Sequence, residues 1–140
     1  MKPAVFDASV ATKWFVVDVL TEQATWARQH YRPHAPSLIL YEVMSALWKY
    51  VPSRHISASA IGDAVESLCV DVALHTEGSY LRDAAELAVD LPHPPYDMAY
   101  VSLAIGQDIP LITADKRLSR KVAQSDLDVH IIDLEEIDQK

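Results

Sequence analysis

Ile109-Pro110-Leu111-Ile112-Thr113-Ala114-Asp115 reads as a short apolar strand that gives way, two residues after Thr113, to an acid and then to a basic helix over residues 115–124. The amino-terminal stretch has the same form: Ala4-Val5-Phe6 is β-like, Asp7 follows at once, and residues 10–17 carry apolar side chains at helical spacing. Between these two units, strand and helix patterns alternate. A second helix is expected from Glu22 to Tyr31, and Arg32-Pro33-His34-Ala35-Pro36 reads as a turn, because its two prolines restrict the backbone and remove donors. Residues 37–40 lead into a strong helix through Tyr50, stopped by Pro52, with Leu40, Val43, Met44, Leu47 and Trp48 as its core stripe. Ser57 caps the helix Ala58 to Leu68, and Cys69 to Leu74 alternates as a strand does. Thr76 caps a helix from Glu77 to Leu91, with Leu81, Ala84, Ala85, Ala88 and Leu91 buried; after the Pro92-His93-Pro94-Pro95 link, another helix spans Tyr96 to Gly106. Val129 to Ile132 is a last strand. Strands separated by helices predict an α/β domain, a mainly parallel sheet covered on both faces.

Composition sets the class. The 140 residues fit one domain with a sizeable core, half of them are apolar and 23% are charged, as in ordinary globular protein. No repeat or linker divides residues 1–140. The lone Cys69 excludes an intrachain disulfide and reads as core packing between Leu68 and Val70. With no signal-length or membrane-length apolar run, the expected compartment is the cytoplasm, away from membranes. The net charge of −8 argues against a nucleic-acid partner unless several carboxylates gather to hold cations, which would turn a repulsive patch into a phosphate-attracting one.

The positions of the acids therefore matter most. Ligands of open parallel sheets bind beyond the carboxyl ends of the strands, where Asp7 and Asp115 are expected. Aspartate also caps helices, and for these two residues capping and catalysis remain open alternatives. Glu42 lies in an apolar segment on a face shared with Ser45, Ala46 and Lys49; that face is either ordinary surface or the border of a polar cleft. Asp97 stands in a first helical turn, yet its neighbours at helical spacing are Tyr100, Val101 and Ala104, so its carboxylate needs a partner or a metal. Four converging carboxylates repel, each pair at about 4 Å by roughly 4 kcal/mol at an effective dielectric near 20. Oxygen-only ligands suit Mg²⁺ or Mn²⁺; the six histidines form no close helical pair, which counts against zinc. The three dispersed glycines exclude a phosphate-binding loop, and no serine nucleophile elbow is present.

The segments Val5–Phe15, Tyr41-Glu42-Val43, Tyr96–Ala104 and Leu111–Leu118 together resemble the PIN-domain family, and most closely the VapC toxins of bacterial and archaeal toxin–antitoxin pairs. The resemblance spans nearly the whole chain, with four motifs in the family's order. It implies a three-layer α/β/α fold and a metal-dependent endoribonuclease cleaving single-stranded or loop regions of cellular RNA with Mg²⁺ or Mn²⁺. By it, Asp7, Glu42, Asp97 and Asp115 fill the four acidic positions, with Asp7 and Asp97 holding metal and Glu42 and Asp115 in an outer shell or on a second metal; Ser9 and Thr113 support them. It further implies an antitoxin partner, with an arginine reaching the carboxylates, and a homodimer or toxin–antitoxin heteromultimer. Lys116, Arg117, Arg120 and Lys121 are the densest basic group and the candidate RNA contacts, although a solvated helix face reads the same way. Trp14, Phe15, Trp26 and Trp48 are expected in the core or, in part, lining a groove for a partner helix. A receiver-like domain and an aspartyl phosphatase are disfavoured because Asp7 lacks a paired acid and Ser9 stands two residues on; a degenerate PIN-like binding module without catalysis is the remaining alternative.

Overall fold

Five strands form one sheet in which every pair is parallel, in the order β3-β2-β1-β4-β5. The computed structural model describes residues 1–76 and 78–140. Along the chain these are β1 (Lys2–Phe6), α1 (Ala8–Ala11) running into a 3-10 turn (Thr12–Trp14), α2 (Thr21–His30), β2 (Tyr31–Pro36), α3 (Leu38–Trp48), α4 (Ala58–Asp71), β3 (Ala73–His75), α5 (Ser79–Asp90), α6 (Pro95–Gln107), β4 (Leu111–Thr113), α7 (Lys116–Ala123), β5 (Ile131–Asp133) and a closing 3-10 turn (Leu134–Glu136). Among the described residues, no helix is long and apolar enough to cross a membrane.

Two cores sit on opposite faces of the sheet because side chains alternate along a strand. Ala4, Phe6 and Ile112 pack with Val10, Ala24, Ala27 and Leu134 on one face. Val5 and Leu111 point the other way, into the larger core built from α3, α4 and α6. The register Val5↔Leu111 and Phe6↔Ile112 keeps these faces consistent across β1 and β4. The chain steps outward from β1 to β2 and β3, then returns to lay β4 beside β1. That reversal is where an open parallel sheet leaves a crevice beyond its strand ends, and it separates Asp7 from Asp115.

The segment of residues 32–36 is not a turn but most of β2, an interior strand. Its prolines are tolerated because each has a strand neighbour on one side only: pairing with β3 begins at His34, after Pro33, and pairing with β1 ends at His34, before Pro36. The same strand brings His34 Nδ1 within 2.9 Å of His75 Nε2 on β3, a pairing that a search for helical spacing does not reveal.

Residues 69–71 belong to α4, whose buried positions Ala64, Leu68 and the following Val72 recur every four residues, so β3 is only Ala73–His75. Cys69 is accordingly exposed on that helix, not in the core. In α3 the buried stripe is Ile39, Val43 and Leu47; Leu40 is partly buried, Met44 is 40% exposed and Trp48 67% exposed. Almost every residue of α3 is apolar, so periodicity alone did not choose between adjacent stripes. Trp14, Phe15 and Trp26 are partly buried, none of them fully in the core. The first helix ends at Trp14 rather than running to Val17. Helix α5 starts at Ser79 with Gly78 at its cap, so Thr76 does not cap it; Glu77 lies outside the described residues. Ala84 is buried as expected, Ala88 and Leu91 partly so, while Leu81 and Ala85 are exposed.

Candidate active site

Asp7, Glu42, Asp97 and Asp115 arrive from four elements and line one cavity of about 200 Å³ together with Ala8, Ser9 and Tyr100. Asp7 directly follows β1, caps α1 and is only 6% exposed. Ser9 Oγ donates to its Oδ1 at 2.5 Å, the Val10 amide donates to the same oxygen at 3.3 Å, and the Thr113 hydroxyl donates to Oδ2. The two hydroxyls also tie α1 to the end of β4, since the Ala114 amide donates to Ser9 Oγ and the Asp115 amide to Thr113 Oγ1, each at 3.0 Å. Burial nevertheless pushes the Asp7 carboxyl up to about 6, the hydroxyls and the Val10 amide opposing that rise and the charge of Asp97 adding to it.

Glu42 projects from α3 and accepts a 2.6 Å hydrogen bond from Tyr100 Oη at Oε1. Partial burial raises its carboxyl above the ordinary range; the tyrosine opposes this and the Asp97 charge reinforces it. Burial first, then the facing Glu42, hold the Tyr100 phenol protonated as a permanent donor. Asp97, in the first turn of α6, is bonded at Oδ2 by Nε2 of the buried His93 at 2.7 Å. Asp115 caps α7, its Oδ1 accepting from the Arg117 amide at 2.9 Å and the Leu118 amide at 3.2 Å. Asp7 and Asp115 both cap their helices and both line the cavity, so capping does not remove either acid from it.

Among the described residues, no three carboxylate, imidazole or thiol groups are gathered at cation-binding spacing. The donor chemistry still fits a hard divalent cation: the acids facing the cavity offer only oxygen, and Asp7 and Glu42 are both pushed toward their protonated forms with Asp97's charge contributing. Tyr100 and His93 were missed in the sequence. In the sequence Tyr100 reads as apolar face three residues after Asp97, and His93 is hidden between prolines four residues before it; the i, i+3 and i, i+4 spacings around the acid are the available signal.

The basic group divides. Lys116 Nζ is held by Asp133 at 2.9 Å and Glu135 at 2.8 Å, whose hydrogen bonds and charge raise its ammonium group above the ordinary lysine range. Arg117, Arg120 and Lys121 instead line a separate shallow depression with Gln124, and none of them lines the acidic cavity.

The PIN domain family matches residues 4–123. Ribonuclease VapC3 of Pyrobaculum aerophilum is 32% identical over 121 residues, covering 84% of this chain and 92% of that protein. Among solved structures, PAE2754 from Pyrobaculum aerophilum superposes with a TM-score of 0.70 at 20% identity, over 96% of this chain and 85% of that one. A toxin-antitoxin complex from Klebsiella pneumoniae gives 0.71 at 15% identity, over 96% and 99% of the two chains. The two structures speak to the fold, a parallel sheet with helices on both faces; the family match and the identity to VapC3 speak to descent, and this chain belongs to the PIN-domain family.

Proposed function

We propose that this chain, acting as a single domain over residues 1–140, is a Mg²⁺- or Mn²⁺-dependent endoribonuclease and the toxin of a cytoplasmic toxin–antitoxin pair. The observation that carries the reading is the convergence of Asp7, Glu42, Asp97 and Asp115 on one cavity at the switch point of the sheet. The likeness to a ribonuclease VapC over most of the chain supports the same chemistry. Asp7 and Asp97 are the carboxylates that hold the cation, and Glu42 and Asp115 complete its surroundings. A cation held there would supply charge neutralisation at the phosphodiester and would lower the pKa of a water, making hydroxide available as the nucleophile near neutral pH.

The chain's own part is to keep four carboxylates pointed at one space. Ser9 and Thr113 hold Asp7, Tyr100 holds Glu42, and the first amides of α7 hold Asp115. Attack of water on phosphorus with loss of the 3′-oxygen, breaking the P–O3′ bond, leaves a 5′-phosphate and a 3′-hydroxyl. Arg117, Arg120 and Lys121 are the contacts for the flanking RNA backbone, in single-stranded or loop regions; Lys116 is already neutralised by Asp133 and Glu135. Exposed Tyr41, Met44 and Trp48 on α3 give the kind of apolar surface that a protein partner covers, in keeping with an antitoxin and a heteromultimeric complex.

The test is incubation of the purified chain with a pool of structured RNA in Mg²⁺, in Mn²⁺ and in EDTA, beside Asp7→Ala and Asp97→Ala. Cleavage present with metal and absent in EDTA and in both variants is the expected result. Equal metal-dependent cleavage by the folded variants overturns the assignment of the site.

A further inference from the structure

We infer that His93 is a positioning residue, whose Nε2–H sets the orientation of the Asp97 carboxylate and thereby tunes the affinity of the acidic cavity for a divalent cation. The inference rests on the proposed metal site and adds to it a group that is not itself a ligand. His93 does not line the cavity; Asp97 does. The ring therefore sits behind the carboxylate, its side chain 2% exposed against 30% for Asp97, with Nε2 at 2.7 Å from Oδ2. The other ring nitrogen, Nδ1, is buried without a partner, so the bond to Asp97 is the one polar contact the imidazole makes among the described residues. A buried ring with a single directional bond is costly to place unless that bond has a use.

The backbone around His93 is correspondingly fixed. Its amide donates to the Ala88 carbonyl at 3.2 Å, at the end of α5. Pro94 follows, confining His93 to extended conformations, and Pro95 opens α6 with its φ already helical. The proline-rich link thus acts as a rigid mount that delivers the imidazole to the first turn of α6, four residues before the acid it holds. A donor behind a ligating carboxylate restricts its rotation and fixes which oxygen faces the cation, and losing such a partner typically weakens metal binding by about 10–100-fold.

The matched substitutions are His93→Gln and His93→Met, side chains of similar length of which only the first retains a donor near the Nε2 position. Mn²⁺ binding is read by calorimetry on the intact chain in the absence of RNA. The expected result is tight binding by the unsubstituted chain, about 10–100-fold weaker binding by His93→Met, and recovery of most of that loss in His93→Gln. Equal affinity in the unsubstituted chain and the Met variant overturns the role of His93 while leaving the metal site standing. No Mn²⁺ binding by the unsubstituted chain removes the metal site and this inference with it. The ¹⁵N shifts of the imidazole, recorded without any substitution, test the same point should the Met variant not fold: a protonated Nε2 is expected, and a bare Nε2 contradicts the inference.

Discussion

Each acid of the cavity is held by a different kind of donor: hydroxyls on Asp7, a phenol on Glu42, an imidazole on Asp97 and backbone amides on Asp115. None of these donors need carry a positive charge, and the cost of holding a carboxylate out of water falls on Asp7, where burial is the largest cause of the rise and the charge of Asp97 the smallest. Below its ordinary value of 3.8 the Asp7 carboxyl is protonated in both native and unfolded chains, whereas between 3.8 and about 6 only the native state keeps the proton. Stability therefore falls as the pH rises through that window, and above it the charged Asp7 costs about 3 kcal/mol. Asp7→Asn keeps an acceptor for Val10 and Ser9 and removes the charge. In EDTA at pH 7.5 its melting temperature should rise by several degrees, and the gain should shrink toward zero near pH 4, as followed by circular dichroism. An equal gain at both pH values would place the effect elsewhere than in ionisation.

At the scale of elements, strand-acid-helix units were the legible part of the chain. β1 with Asp7 and β4 with Asp115 were readable because an apolar run ends abruptly at a capping acid. Asp97 was readable because an acid in the first turn of α6 faces an otherwise apolar stripe. Where composition is uniform or two signals conflict, the reading failed. The prolines of β2 outweighed its strand character, since the sequence does not show which side of each proline lacks a neighbour. The uniformly apolar α3 hid which stripe is buried, and helical spacing gave no hint of the cross-strand His34–His75 bond. The cap at α7 allows Asp115's two roles to be separated. Asp115→Ala should lose about 0.5–2 kcal/mol in denaturant unfolding together with cleavage, whereas Asp115→Asn, still a good cap, should retain stability and lose cleavage alone.

For the whole molecule, the net charge of −8 and the proposed RNA substrate are reconciled by placement. Acids concentrate in a cavity that a cation can neutralise, and Arg117, Arg120 and Lys121 are grouped apart from it. Replacing those three by glutamine should raise KM and flatten the salt dependence of RNA binding by about two to three counterions, with kcat changed much less. An unchanged salt slope in a filter-binding series would show that the RNA lies elsewhere. On the proposed function, the four acids act as one metal-dependent hydrolytic unit. This is tested most directly by single-turnover RNA cleavage in Mn²⁺ for Asp7→Asn, Glu42→Gln, Asp97→Asn, Asp115→Asn and the double Asp7→Asn/Asp97→Asn variant. Each single change is expected to lower the rate at least about 100-fold, the double variant to lose little more than either single, and the products to carry 5′-phosphates. Cleavage at the full rate in EDTA, or by Asp7→Asn in Mn²⁺, would contradict that function.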